Sequence, residues 1–72
     1  MKPNRLPGKQ QQRCLDLLAE GFLYKEIAAR MGLSEHTVVA HLLKLRNRCG
    51  AHSQVQLIMA AWKRGWIKRQ GA

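Results

Sequence analysis

Glycines at 21, 32, 50 and 65 each close a run of apolar residues at helical spacing, which cuts the chain into four short segments. Cys14, Leu15, Leu17 and Leu18 precede Gly21, and Ile27, Ala28 and Met31 precede Gly32. Val38, Leu42, Leu45 and Cys49 stand at i, i+4, i+7 and i+11 before Gly50, forming one stripe for a core. Val55, Ile58, Met59 and Trp62 precede Gly65 and are expected to face one way, with Leu57 and Ala61 looking outward beside Lys63 and Arg64. Nothing alternates with period two, so the expected fold class is all-α, four short helices. The segment starts agree. Gly8 with Gln11 three residues later suits a capping box, Ser34 is followed at the third position by Thr37, and Ser53 opens the fourth run. Trp66-Ile67 can fold back after the last glycine. Residues 1–8, which hold both prolines, read as a loose arm, 9–67 as the domain and 68–72 as a basic tail.

At 72 residues and 8.2 kDa the chain makes one small domain. Such a chain buries only about 60% of the surface that its unfolded form exposes, so the core is thin. That leaves no bulk to enclose a substrate. No paired carboxylates or Ser-His-Asp set stand out, and the expectation is that the protein is not an enzyme. Charge says more: thirteen Lys and Arg against four Asp and Glu give +9. Residues 1–35 carry net +2 and residues 36–72, without a single acidic residue, carry +7. A field of that sign favours polyanions, nucleic acid before an anionic membrane surface. No apolar run approaches the roughly 20 residues of a membrane span, and no signal peptide opens the chain.

Cys14 and Cys49 are too few for a disulfide framework and read as reduced core thiols. A zinc site would need Cys14, His36, His41 and His52 to converge from three elements, so neither metal nor cofactor is expected.

The informative stretch runs from Tyr24 to Asn47: a short helix, a three-residue glycine turn and a longer helix, which is the helix-turn-helix layout. Ala28 is small where the helices must approach. Gly32 can take the left-handed backbone the turn needs. Ile27, Met31, Leu33 and Val38 supply the apolar contacts between the two helices. The capped start of the third helix offers free N–H groups that suit a phosphate.

Leu15-x-Leu-Leu-Ala-x-Gly21, Lys25-Glu-Ile-Ala28, Gly32-Leu-Ser-Glu-x-Thr-Val38-x-x-His41 and then Gly50 resemble the LuxR/FixJ-type helix-turn-helix, from about Pro7 to Ile67. The resemblance implies a four-helix DNA-binding output domain without a wing, here in free-standing form. It also implies a double-stranded DNA-binding transcription regulator whose third helix, about 35–49, lies in the major groove. Phosphate contacts are implied at Lys25, Thr37, His41 and Arg48, to which the charge pattern adds Lys44 and Arg46. Glu26 matches a family glutamate and is expected to be structural, paired on the core-facing side with a basic residue. Such a regulator would be cytoplasmic, nucleoid-associated and encoded by a bacterium or phage. The fourth helix in this family commonly forms a two-fold contact, so a weak homodimer through Leu57 and Ala61 is expected.

The departures from the family pattern bear on specificity. Leu23-Tyr24 replaces the common Ser-Asn, and Gly8-Lys9-Gln10-Gln11 replaces Thr-x-Arg-Glu. Val39 stands where lysine is common, and Ala40 and Leu43 complete a base-facing set that offers methyl groups and almost no hydrogen-bond donors. Such side chains contact a thymine methyl but do not read guanine. The same apolar face also fits a protein partner, so the alternative function is an interaction module that binds and inhibits another regulator. His41 reads equally as a rim histidine or a phosphate contact. Trp62 and Trp66 read as packing or dimer residues. Lys63-Arg64 and Lys68-Arg69 read either as a solvated edge or as auxiliary phosphate contacts.

Overall fold

The computed structural model describes residues 7–67 as four helices: α1 (Lys9–Ala19), α2 (Tyr24–Met31), α3 (Glu35–Cys49) and α4 (Gln54–Arg64). No strand occurs among the described residues. The expected basic tail at 68–72, and the expected arm up to residue 6, lie outside them. Pro7, assigned to that arm, is buried.

One device ends every helix. The residue after each glycine donates its N–H to a carbonyl five positions back: Phe22 to Leu17, Leu33 to Ala28, Ala51 to Arg46 and Trp66 to Ala61, at 2.8–3.2 Å. This bond satisfies a carbonyl that the helix itself leaves orphaned. Gly32 shows the backbone requirement, with φ +68° and ψ +33°, a left-handed conformation that costs other residues strain. Phe22, Leu33 and Ala51 then pack against the core and Trp66 joins it, so each reversal also carries an apolar side chain inward.

The helix starts are more varied. Ser34 Oγ accepts the Thr37 N–H and Ser53 Oγ accepts the Gln56 N–H, both at 3.1 Å. At α1 only half of a capping box exists, because Gly8 has no side chain: its N–H reaches Gln11 Oε1 at 3.4 Å. At α2 the missing polar entry is made up from within the helix. Leu23 caps with no side-chain oxygen, and its N–H donates to Glu26 Oε1 at 2.8 Å. Glu26 is therefore exposed and structural through capping, not through a core-facing ion pair. The carboxylate also sits well against the positive end of the helix dipole.

The core draws Cys14, Leu15, Leu17 and Leu18 from α1, Ile27 and Ala28 from α2, and Val38, Leu42 and Leu45 from α3. Leu57 and Ala61 of α4, then Trp66 and Ile67 folded back beneath it, complete the set. α3 is central and packs against all three other helices, whereas α4 makes its main contact with α3. Cys14 is fully buried, 3.5 Å from Met31 Sδ, and burial pushes its thiol pKa above the ordinary 9.0. Cys49 is half-buried and likewise free.

The facing of α4 corrects the sequence reading. Leu57 and Ala61, expected outward, are fully buried; Val55, Met59 and Trp62, expected inward, are 66%, 50% and 43% exposed. Ile58 is half-buried between the two sets. Both sets recur at helical spacing, so periodicity alone admits either. Packing against α3 selects the smaller pair, in which Ala61 permits close approach.

Candidate nucleic-acid interface

With about 100° between successive residues, the outward side of α3 can be laid out from its buried stripe. Opposite Val38 stand His36, Ala40, Leu43 and Asn47, all exposed. Val39 and the half-buried Arg46 flank them on one edge; Thr37, Lys44 and Arg48 flank them on the other. Val39 is 40% and Leu43 47% exposed, so these two are not additional core. The three base-facing candidates Val39, Ala40 and Leu43 thus share one solvent-facing surface. His36 and Asn47 belong to the same surface but were given no site role from sequence. The signal was present: His36 lies seven residues, two turns, before Leu43, and Asn47 lies four after it.

The basic candidates fall into different settings. Lys25 is exposed in the first turn of α2, beside a shallow cleft of about 340 Å³ lined also by Leu18, Phe22, Leu23 and Glu35. Thr37 is half-buried, its hydroxyl 3.0 Å from that of Ser34, so it reinforces the cap that opens α3. His41 is half-buried with Nε2 3.3 Å from Gln10 Oε1, tying the start of α1 to the middle of α3. Lys44 is exposed. Arg46 and Arg48, grouped together in the sequence reading, part company: Arg46 has its Nε buried without a hydrogen bond, and Arg48 lies exposed with its guanidinium over the Trp66 ring. Arg30 stacks in the same way over Phe22, 4.1 Å from its centroid.

No three His, Cys, Asp or Glu side chains gather as a metal site among the described residues, and no helix there is long and apolar enough to cross a membrane. What the geometry offers is a helix whose outer face exposes Val39, Ala40 and Leu43 together with His36 and Asn47, with a capped N-terminus and cations on both edges. That arrangement can enter a groove and grip its walls.

The fold and this surface define a helix-turn-helix domain. The chain matches the family described as bacterial regulatory proteins, luxR family, over residues 8–61. It belongs to that family, whose domains are typical of DNA-binding transcription regulators. It is 36% identical over 58 residues to the transcriptional regulatory protein UhpA of Escherichia coli K12, covering 81% of this chain and 29% of UhpA. It is also 36% identical over 62 residues to the response regulatory protein YgeK of the same organism, covering 86% of this chain and 42% of YgeK. The chain therefore spans less than half the length of these curated relatives. Among solved structures, VqmA bound to DPO superposes with a TM-score of 0.73 at 40% identity, covering 79% of this chain and 28% of that one. The response regulator ChrA of a heme-sensing two-component system gives a TM-score of 0.82 at 27% identity, covering 92% and 33%.

Proposed function

We propose that this domain binds double-stranded DNA with the outer face of α3 in the major groove and acts as a transcription regulator. The observation that carries the reading is the exposed face of α3 between two cation-bearing edges, in a domain of this family. In this reading Lys25, Lys44, Arg46, Arg48 and the basic tail supply the phosphate attraction, and Thr37 and His41 add contacts to the backbone. Val39, Ala40 and Leu43 favour thymine methyl groups, so base discrimination is weak and leans to A·T.

We infer pairing through α4 as well. Val55 and Met59 are exposed at i and i+4, with Trp62 43% exposed at i+7, so α4 turns an apolar stripe toward solvent. A homodimer through that stripe would place two recognition helices on half-sites about 10 base pairs apart. Net charge of +9 per chain opposes the free dimer, so association strengthens on DNA.

The test is binding to a mixed-sequence duplex across a salt series. If about five phosphates are neutralised, log K falls against log salt with a slope of roughly −4.5. A slope near zero overturns the reading. The exposed Val39 and Leu43 favour one competing function, a module of the same fold that binds and blocks another regulator through α3. A protein that leaves duplex DNA unbound at low salt yet captures a LuxR-family regulator would establish that alternative instead.

A further inference from the structure

Trp66 is held at the junction of three helix ends. Its N–H donates to Ala61 O at the end of α4, and its carbonyl accepts from Gln12 Nε2 in the first turn of α1, both at 2.8 Å. The residue is only 4% exposed, and its indole N–H has no hydrogen-bond partner. What its environment uses is the ring. Arg48, from the last turn of α3, places its guanidinium carbon 4.9 Å from the ring centroid; Arg64, from the last turn of α4, places its own at 5.4 Å. Two cations from separate helices are thus held no more than about 10 Å apart by one buried ring.

Like charges brought together repel, and no acidic residue occurs anywhere in the chain after Glu35. Asp16, in α1, is connected to Trp66 through Gln12, whose Nε2 donates to Asp16 Oδ1 as well as to the Trp66 carbonyl. Stacking on a ring engages the face of a guanidinium, so the in-plane N–H fork of Arg64 is suited to an anion, a geometry that lysine does not share. Position matters too. Arg48 lies on the same edge of α3 as Thr37 and Lys44, about 16 Å of helix beyond Thr37, and the shared Trp66 ring keeps Arg64 beside it.

We infer that Arg64, fixed beside Arg48 on the Trp66 ring, is an additional binding position for a backbone phosphate of the DNA strand along this edge. The inference rests on the DNA reading above. It also separates Arg64 from its neighbour Lys63, which sequence had grouped with it: Lys63 is exposed, about 100° further round α4.

The experiment measures binding of the full chain to a mixed-sequence duplex from low salt to near 1 M, for wild type, R64Q, R64K and K63Q. Circular dichroism confirms that each variant is folded, as expected for substitutions at exposed side chains. R64Q should flatten the log K against log salt slope by about 0.9, one phosphate, which is roughly an eightfold loss at 0.1 M salt that vanishes toward 1 M. R64K should keep the slope, and K63Q should match wild type. R64Q with the wild-type slope overturns the assignment, as does K63Q with the same loss as R64Q, which would make the effect one of net charge. Wild type that leaves the duplex unbound overturns the DNA reading and this assignment with it, so the two failures are distinguishable.

Discussion

α3 and α4 both present an apolar side to solvent, yet they reach that state from opposite kinds of sequence. In α3 the buried stripe of Val38, Leu42 and Leu45 is unambiguous, because His36, Lys44, Asn47 and Arg48 occupy most of the remaining circumference. Val39, Ala40 and Leu43 are then a departure against a polar background. In α4 apolar residues run nearly all the way round, and polar ones concentrate at its ends. Two faces compete for the core, and Leu57 with Ala61 takes it. An exposed apolar residue on a polar face is thus already visible in a sequence. On a helix that is apolar all round, its neighbours must be known.

The sharpest way to break this comparison is a charge on each side of α4. Leu57→Glu should unfold the domain at 25 °C, because an unpaired carboxylate replaces a fully buried side chain in a thin core. Loss of the helical circular dichroism signal checks it, and a folded Leu57→Glu protein would contradict the observed facing. Met59→Glu should change stability by no more than about 0.5 kcal/mol while removing cooperative binding to paired half-sites. Retained cooperativity would place the pairing surface elsewhere.

Adjacent residues of α3 allow a finer test. Leu42→Ala should cost about 2–5 kcal/mol in urea unfolding, and Leu43→Ala less than about 0.5 kcal/mol, since only the first empties the core. Comparable losses would mean that the outer face of α3 is packed rather than exposed.

Val39→Lys addresses what that face does. It should tighten duplex binding generally and introduce a guanine preference worth about 1–3 kcal/mol, read by selection from random DNA. A wild-type selection already rich in invariant G·C pairs would contradict the weak, A·T-leaning discrimination proposed above.

The smallest effect joins the two helices, because their starts are built alike. Ser34→Ala and Ser53→Ala should each cost about 1 kcal/mol, matching the single side-chain-to-backbone bond lost in each case. A much larger loss at Ser34 would point to the additional hydroxyl contact with Thr37 as a substantial part of the turn.

The candidate site was partly legible for the same reason that α3 was. The exposure of Val39, Ala40, Leu43 and Lys44 follows from spacing against a clear core stripe, whereas Lys25 is singled out by the family pattern alone. The contrast between Arg46 and Arg48 does not follow, because two residues along a helix put them on different edges with different neighbours. The placement of His36 is legible in the same way, two turns before Leu43, but a histidine at a helix start carries no local signature of function.

The sequence by itself determined that there are four helices among the described residues, where each of them ends, and where α1, α3 and α4 begin. Those decisions are local: a serine oxygen bonds an N–H three residues on, and a glycine lets the next N–H reach five residues back. Only the tertiary structure decided which face of α4 is inside, that Glu26 caps the entry to α2 in place of a polar residue at 23, and that Arg48 and Arg64 meet on Trp66. Two of these depend on how separate helices lie against one another, set by the fit of side chains distant in the chain. Glu26 is the local exception: its three-residue reach is short, but a leucine at the cap position hides it until the geometry is seen.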